Sequence, residues 1–328
     1  MIDRGELYKL LTLPGRKFYN LFDAPAVVLL YHRVCDLDFD PLQLSVSPEN
    51  FKQHLSHLKE RYHVLTADEF FFHLDKSEKF PKNSVFITFD DGYEDNFLNA
   101  MPILESFALQ AMFYITTFTL GTNRENWWDD LERIVYNGSY PGSLSIKSGD
   151  ETIKVELSDV SSRTTAYDTL HRVIKTKSIK EREDIFSHLY TWANISGEAR
   201  ASHRMMTFGQ LKKFSKSSSV RIGAHTHSHA SLRSFSYDDQ LNDIVTSKNI
   251  IEKIIERNIE HFSYPFGTRK DFNHNTERAC RESGLKSSFA NIYGQVRSKS
   301  SMMSMHRMLV RDWSPEVFKI KMEGFFRN

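Results

Sequence analysis

Two adjacent carboxylates are the first residues of this chain whose types and spacing could do chemistry. Asp90 and Asp91 directly follow Val85–Phe89, an apolar run typical of a strand buried on both faces. Buried carboxylates are costly unless a positive group or solvent reaches them. Gly92 lets the chain turn sharply after the pair, because glycine takes a positive φ at little cost. Taken alone, the pair is explained equally well by a polar turn after a core strand.

Three histidines form a second group, directly after the predicted strand Val220–Ala224. The spacing of four residues brings His225 and His229 to one side of a helical turn or compact loop, whereas His227 points elsewhere and is not expected to be a ligand. Two histidines and one carboxylate, with positions left open for water and substrate, are a common ligand set of hydrolytic metal sites. The pattern indicates such a site, although histidines at a surface turn need no function.

The elements that must position these residues are short apolar runs that alternate with helices. Ser47 and Pro48 start one helix, and Thr207 with Gln210 forms a capping box for another. This alternation is typical of a parallel α/β sheet or barrel, whose strands deliver their carboxyl ends to one face. The predicted strands are Ala26–Tyr31, His63–Leu65, Val85–Phe89, Ala111–Thr116, Val220–Ala224, His261–Tyr264, Ser287–Ala290 and Met305–Val310.

Between Leu120 and about Met205 the pattern changes to polar helices with narrow apolar stripes and one hairpin. The predicted elements are a helix from Trp127, a hairpin over Ser143–Leu157 around Gly149 and Asp150, and helices over Thr164–Ile174 and Lys180–Trp192. We interpret residues 120–205 as an insertion near the mouth of the site and expect its core to be thin for its length. The chain, residues 1–328, is then one domain with a helical extension over residues 1–24.

The composition excludes several classes of protein. Lys plus Arg (43) nearly equals Asp plus Glu (42), which argues against nucleic-acid binding. Cys35 and Cys280 are too few for a disulfide framework or a thiolate zinc site. Met1–Phe22 lacks the apolar segment of a secretory signal, and no uncharged stretch approaches the roughly 20 residues that span a bilayer. We therefore expect a cytoplasmic protein, in which residues 1–22 either pack on the domain or contact a membrane surface.

Three motifs in order carry a resemblance to a known family. T-F-D-D-G at Thr88–Gly92, H-T-x-x-H at His225–His229 and S-Y-P-F-G at Ser263–Gly267 resemble the successive motifs of the polysaccharide deacetylase superfamily. The stretch L-L-Y-H-R-V ahead of them is closer to the exopolysaccharide N-acetylglucosamine deacetylases than to the chitin deacetylases. The resemblance implies an α/β fold, a distorted (β/α)7-type barrel, with the helical and hairpin segment inserted into it.

The resemblance also implies a role for each matching residue. Asp90 would be the general base, and Asp91, His225 and His229 would bind one divalent metal ion, usually zinc. The metal would lower the pKa of a bound water and polarise the acetamide carbonyl. A backbone N–H near Pro265–Phe266 would stabilise the oxyanion.

Amide cleavage needs a general acid as well, because an amide anion is a poor leaving group at neutral pH. His32 follows the strand Ala26–Tyr31, so it should reach the same barrel mouth as Asp90, and the resemblance implies that it is this acid. His306 is a competing candidate, but it begins the last predicted strand and should lie at the opposite end. In a third interpretation His32 is structural and bonds to the loop that carries Asp36.

One residue departs from the family pattern. Many relatives have an arginine at the head of the third motif, where it orients the base, and this chain has Ser263. Arg307 could supply that charge from another strand, or it could form a surface salt bridge. The sequence does not separate these two interpretations.

Four aromatic side chains are candidates for stacking on a sugar ring. For Tyr93, Trp127 and Phe266 we favour ordinary core packing, whereas for Trp128 we favour contact with substrate. The candidate substrate-binding residues are Tyr93, Pro265, Phe266 and Trp128. Asp129 and Asp130 are interpreted as helix N-terminal charges rather than as a second metal site.

The predicted function is a metal-dependent hydrolase that removes N-acetyl groups from an amino sugar. Its substrate would be a glycan, an oligosaccharide or a nucleotide- or lipid-linked glycan precursor. Two alternatives stay open: hydrolysis of another amide or an O-acetyl ester at the same metal site, and non-catalytic glycan binding. The presence of both aspartates with both histidines argues against the last, because a binding module has no need for a base beside a metal.

Overall fold

The computed structural model describes residues 23–137, 142–148 and 151–327. The predicted N-terminal extension therefore lies outside the described residues, apart from residues 23 and 24. The predicted hairpin turn at Gly149 and Asp150 lies outside them as well. None of the helices in the described ranges is long and apolar enough to cross a membrane.

The strands and helices alternate along the chain, as the sequence predicts. The strands are β1 (Ala26–Tyr31), β2 (Arg33–Val34), β3 (Ser45–Val46), β4 (His63–Val64), β5 (Ser84–Phe89), β6 (Ala111–Ile115), β7 (Ser143–Ser148), β8 (Glu151–Glu156), β9 (Val220–Ala224), β10 (His261–Ser263), β11 (Ser287–Phe289) and β12 (Met308–Leu309). The helices are α1 (Pro48–Arg61), α2 (Ala67–Asp75), α3 (Met101–Phe107, after a π-helical turn at Asn96–Ala100), α4 (Trp127–Asn137), α5 (Val160–Ile174), α6 (Ile179–Ala193), α7 (Phe208–Phe214), α8 (Tyr237–Ile255), α9 (His274–Glu282) and α10 (Pro315–Arg327).

The main sheet is parallel and curls into a distorted barrel. Its strand order is β11-β10-β9-β6-β5-β1-β12, and β4 pairs with β5 beside this path. The two ends of this path, β11 and β12, approach each other. Residues 302–305 hydrogen-bond to β11 and to Ala290 directly after it, and the chain then continues into β12. Only Met308–Leu309 of the predicted strand Met305–Val310 is regular, since its first part bridges β11 rather than β1.

The register of neighbouring strands brings the motif residues to one edge of the sheet. Tyr31 of β1 pairs with Phe89 of β5, so His32 and Asp90 leave the sheet side by side. Ile115 of β6 pairs with Ala224 of β9, which sets the histidine loop at the same level. Because parallel strands end on one side, residues far apart in sequence meet there.

The insertion packs α4, the β7–β8 hairpin, α5 and α6 against one another. Its buried apolar side chains form a cluster distinct from the two clusters that cover the faces of the barrel sheet. Leu131, Leu144, Leu170 and Leu189, one from α4, the hairpin, α5 and α6, are all at most 1% exposed. The expected thin core is therefore wrong, because narrow apolar stripes on several elements converge on one centre.

Candidate active site

Three side chains that follow two different strands form a compact ligand trio at the mouth of the barrel. Asp91 Oδ1 lies 3.5 Å from Nε2 of His225 and 3.2 Å from Nε2 of His229. All three residues are buried, and their ligand atoms lie within 4.8 Å of one another. This donor set fits a divalent cation of the zinc type.

Unpartnered polar atoms support this fit. Asp91 Oδ1 is enclosed and accepts no hydrogen bond from any described residue. An enclosed carboxylate oxygen without a partner is costly, and a cation between it and the two imidazoles would remove that cost. The residues present therefore fit one bound metal ion.

The tautomer of His225 is set by its second nitrogen. His225 Nδ1–H donates to the carbonyl of Ser263 over 2.7 Å, which leaves the lone pair of Nε2 directed toward Asp91. This is the arrangement in which a histidine serves as a metal ligand. Burial lowers the pKa of His225, and burial lowers the pKa of His229 to about 3, so both rings are neutral near pH 7. Burial raises the pKa of Asp91, a tendency that a bound cation would oppose.

The backbone of the site is strained at several non-glycine residues. Asp91, Thr226, His229 and Phe266 have φ angles of 77°, 65°, 48° and 60°. L residues rarely adopt this left-handed region, and its occupancy must be imposed by neighbours. Among those contacts, the Thr116 N–H donates to the carbonyl of Asp91, and the His229 N–H donates to Thr226 Oγ1.

The histidine loop is held from both sides. From α8, Asp243 accepts the N–H groups of His227 and Ser228 over 2.6 and 3.2 Å. From α6 of the insertion, buried Arg182 donates to the carbonyl of Ser228 over 2.5 Å and to that of His229 over 3.5 Å. Sequence reasoning missed Arg182 and Asp243, because neither lies in a motif or near the loop in sequence.

Arg182 forms no ion pair with a carboxylate among the residues that the structure describes. It donates to backbone carbonyls of the insertion and of the histidine loop, and its guanidinium lies over the ring of Trp127. Burial lowers its pKa to about 9, so it still carries its charge near neutral pH. Trp127 adds a second donor, since its Nε1–H reaches the carbonyl of His229 over 3.3 Å. Two residues of the insertion thus bind the carbonyl of one predicted metal ligand.

Asp90 is held by a buried arginine. Nη1 and Nη2 of Arg307 donate to its two carboxylate oxygens over 2.8 and 2.7 Å, and Ser263 Oγ donates to the second oxygen over 3.0 Å. Arg307 is 1% exposed, so the surface salt bridge considered from sequence is wrong. Burial would raise the pKa of Asp90, but Arg307 and His225 outweigh burial and hold this pKa well below its usual value.

His32 lies beside the two aspartates and has an enclosed Nδ1 that makes no hydrogen bond to the described residues. No side-chain bond joins it to the Asp36 loop within those residues, so the structural interpretation has no support there. Burial lowers the pKa of His32, and the charges of Asp91 and Asp90 oppose this shift. His306 packs against Gly294 and is not among the residues that line the site cavity.

A cavity of about 200 Å³ opens over these residues, and we refer to it as the site cavity. Its lining comprises His32, Asp90, Asp91, His225, His229 and Arg307, with Leu30, Leu42, Leu44, Trp128, His171, Tyr264, Phe266, Asn291 and Leu309. Phe266 and Trp128 therefore lie where sequence analysis places substrate contacts. His171 has no motif around it, and sequence reasoning missed it.

Tyr93 and Pro265 do not line the site cavity, which gives no support to their predicted contact with substrate. Tyr93 is fully buried below the guanidinium of Arg33, and its hydroxyl donates to Asp129 over 2.7 Å. That hydroxyl also accepts the indole N–H of Trp128 over 2.8 Å. Trp128 is only 3% exposed, so it presents an apolar edge to the cavity while most of its ring packs in the insertion.

A second group of potential ligands, Asp129, Glu132 and His203, also gathers in the interior. Its carboxylates are already engaged, because Tyr93 donates to Asp129 and Arg200 donates to Glu132 over 3.1 Å. These contacts account for the group as part of the packing between the insertion and the barrel.

A sequence model of the polysaccharide deacetylase family matches residues 77–147 and 188–288, more than half of the chain. The chain belongs to the polysaccharide deacetylase family. The stretch that this family model leaves unmatched between its two parts lies inside the insertion, from the end of β7 to the middle of α6. The strands that carry both motifs of the site lie within the matched parts.

A relative of known name is similar to part of this chain. The poly-beta-1,6-N-acetyl-D-glucosamine N-deacetylase of Staphylococcus aureus (strain MRSA252) is 33% identical over 133 residues, which cover 34% of this chain and 46% of that protein. The chain thus spans less than half the length of this relative.

Two solved deacetylases share the fold. The Streptococcus pyogenes deacetylase PplD superposes with a TM-score of 0.59 at 20% identity, covering 92% of this chain and 99% of that one. IcaB from Ammonifex degensii superposes with a TM-score of 0.60 at 16% identity, covering 93% and 97%. At these identities the likeness establishes the distorted barrel and nothing further.

Proposed function

We propose that this protein is a metal-dependent hydrolase that removes N-acetyl groups from an amino sugar in a glycan. One observation carries the proposal: an ionised carboxylate, Asp90, is clamped by Arg307 beside a ligand trio at the floor of a small cavity. A structural ion pair has no need of an adjacent unpartnered aspartate and two neutral histidines. A hydrolase needs both groups within reach of one water.

Asp91, His225 and His229 would hold the metal, for which the ligand types favour zinc. When bound, the metal would make water more acidic and polarise the acetamide carbonyl. The residues of the chain supply the rest. Asp90, kept ionised by Arg307, accepts a proton from the attacking water.

Two further groups complete the reaction. Phe266 lines the cavity, and its backbone N–H has no acceptor among the described residues, so it is the proposed donor to the developing oxyanion. His32 gives a proton to the departing amine, so that the products are acetate and the free amino sugar. The proton that Asp90 takes from the water replaces the proton that His32 donates, so the two residues are restored after each turnover. Burial lowers the pKa of His32, and the charges of Asp91 and Asp90 oppose this shift.

The substrate class follows from the relative and from the apolar lining. The Staphylococcus aureus relative is named as a deacetylase of poly-beta-1,6-N-acetyl-D-glucosamine, and Phe266 with Leu42 and Leu44 offers apolar surface for a pyranose ring. We propose an N-acetylglucosamine polymer or oligomer as substrate. The cytoplasmic location, a nucleotide- or lipid-linked precursor and membrane contact through residues 1–22 stay predictions from sequence.

The experiment is acetate release from β-1,6-linked N-acetylglucosamine oligomers, before and after the metal is removed by a chelator and restored with zinc. We expect activity that is lost on chelation and regained with zinc. Acetate released only from O-acetyl esters would favour the alternative ester hydrolase. Tight zinc binding without release from any substrate would favour a non-catalytic glycan-binding protein.

A variant of His32 tests the acid separately. His32→Ala should lose far more activity on the acetamide than on an activated acetyl ester, whose leaving group needs little protonation. Equal losses on the two substrates would remove His32 from the acid role.

A further inference from the structure

His171 brings a polar group from the insertion into the site cavity. It lies on α5 and is partly exposed, and it lines the cavity together with the predicted metal ligands. The aromatic rings of Trp127, Tyr167 and Phe266 surround it, at centroid distances of 4.9, 5.6 and 5.6 Å. The ring is therefore fixed in place by packing rather than by polar contacts.

The two nitrogens of His171 are open for a ligand. No described residue makes a hydrogen bond to the imidazole, and neither nitrogen is among the enclosed atoms that lack a partner. If position 171 served only for packing, an apolar ring would be sufficient there. Polar atoms that are held rigidly and left accessible in a cavity are typical of recognition groups.

The chemical character of the ring suits a sugar hydroxyl. Burial, with the charge of Lys175 adding to it, lowers the pKa of His171 to about 4, so the imidazole is neutral near pH 7. A neutral imidazole has one donor and one acceptor, and a hydroxyl group can satisfy either. Trp128, the other lining residue from the insertion, cannot do the same, because its N–H is already donated to Tyr93.

We propose that His171 is a specificity residue that hydrogen-bonds a hydroxyl group of the amino sugar while Phe266 packs against the sugar ring. The inference rests on the proposed function and deepens it, because it assigns recognition of the sugar to the insertion and the chemistry to the barrel. His171 is not a metal ligand in this assignment, and it takes no part in proton transfer.

The test uses His171→Phe, which keeps an aromatic ring between Trp127 and Phe266 and removes both polar atoms. His188→Phe is the matched control, since His188 is an exposed histidine on α6 of the same insertion and does not line the site cavity. Each purified protein is assayed on N-acetylglucosamine oligomers and on 4-nitrophenyl acetate, an acetyl ester without sugar hydroxyls. Bound zinc is measured in parallel.

For His171→Phe we expect kcat/KM on the oligomers to fall about tenfold, mainly through KM, the scale of one hydrogen bond. Cleavage of 4-nitrophenyl acetate and zinc content should match those of the wild type, and His171→Gln should recover part of the loss. If one sugar hydroxyl is the partner of His171, oligomers that lack this hydroxyl should show a smaller fall in kcat/KM on the change His171→Phe than complete oligomers do.

Equal losses on the two substrates, or lost zinc, would overturn the assignment, because His171 would then support the cavity or the metal. No loss on the oligomers would overturn it too. A wild-type protein that cleaves 4-nitrophenyl acetate but no amino sugar would instead show that the proposed function is wrong.

Discussion

The barrel and the insertion differ in how they serve the site. The barrel places its groups at strand ends: Asp90 and Asp91 after β5, and His225 at the end of β9. The insertion supplies no ligand of the trio. It contributes Arg182 and Trp127, which bind the carbonyl of His229, and Trp128 and His171, which line the cavity.

The family comparison follows this division in part. The matched residues 77–147 and 188–288 contain the strands β5, β6, β9 and β10 that form the site, and the unmatched stretch 148–187 contains His171 and Arg182. The ligand trio and Asp90 therefore lie within the part that the family model describes. His32 and Arg307 lie outside that part, and Trp127 and Trp128 of the insertion lie within it.

The largest effect is expected from the barrel. Asp90→Asn should lower acetate release by at least ~10²-fold, because the amide cannot accept a proton from water. Bound zinc should remain near the wild-type amount, measured by metal analysis of the purified variant. Arg307 loses its anionic partner in this variant, so the assay is run below the melting temperature.

Asp91→Asn is the matched control at the adjacent position. It removes a predicted ligand, so zinc should be lost together with activity. If Asp90→Asn released acetate at a near wild-type rate, another group would be the base. Zinc that persists in a double variant with alanine at His225 and His229 would refute the ligand trio.

Arg182→Met tests whether the insertion holds the metal site. Without the guanidinium, the carbonyls of Ser228 and His229 lose a donor and the strained loop relaxes. Zinc affinity should fall about 10- to 100-fold, the scale for losing a group that orients a ligand. Affinity is measured by competition with a chelating dye, beside the melting temperature of the metal-free protein.

Arg124→Met is the control, because Arg124 forms a partly exposed ion pair with Glu183 on the same insertion. It should leave zinc affinity unchanged. If Arg182→Met lowered the melting temperature and left zinc affinity as in the wild type, Arg182 would serve the packing of the insertion alone.

Arg307→Met tests the clamp on the base. In the wild type the pKa of Asp90 lies well below its usual value, so the base is ionised at all pH values above about 5. Without Arg307, burial is less opposed and the pKa of Asp90 rises. The acidic limb of the pH–rate profile should then move up into the range between pH 5 and 8, where the wild type shows none from this group, so that activity is lost progressively as pH falls.

The shift is read from kcat/KM between pH 5 and 8, on protein that binds zinc as the wild type does. A variant with methionine at 307 and asparagine at 90 removes both charges and should show no such limb. An unchanged profile in Arg307→Met would mean that the arginine does not control ionisation of the base.

The smallest effect is expected from Trp128→Phe. This change keeps an apolar ring next to His229 and removes the N–H that is donated to Tyr93. The free energy of unfolding should fall by about 1–2 kcal/mol. Trp128 is buried in the core of the insertion, so Trp128→Ala should instead lower the free energy of unfolding by about 3–5 kcal/mol. The alanine variant therefore cannot separate an effect on substrate binding from an effect on stability.

Thermal unfolding and KM for the oligomers are measured on Trp128→Phe, with the partly buried Trp313, which does not line the site cavity, changed to Phe as the control. We expect a lower melting temperature and a KM within about threefold of the wild type. A large rise in KM with unchanged stability would restore the stacking role that sequence analysis favoured for Trp128.

Local sequence patterns were enough to predict most strands of the main sheet, several helix starts and the two motifs. The run before Asp90 and the caps at Ser47 and Thr207 act over a few residues, so local patterning is enough to predict them. The convergence of Asp90 with His225 also followed, because parallel strands share one carboxyl edge.

Contacts between residues far apart along the chain become visible only in the tertiary structure. Arg307 lies 217 positions from Asp90, and Arg182 lies 47 from His229, and neither separation leaves a local pattern. The orientation of Tyr93 depends on Asp129 of the insertion, which accepts the hydrogen bond from the Tyr93 hydroxyl. The core of the insertion depends on apolar stripes from four elements. Such contacts arise from packing, which burial and charge compensation select only once the whole chain has folded.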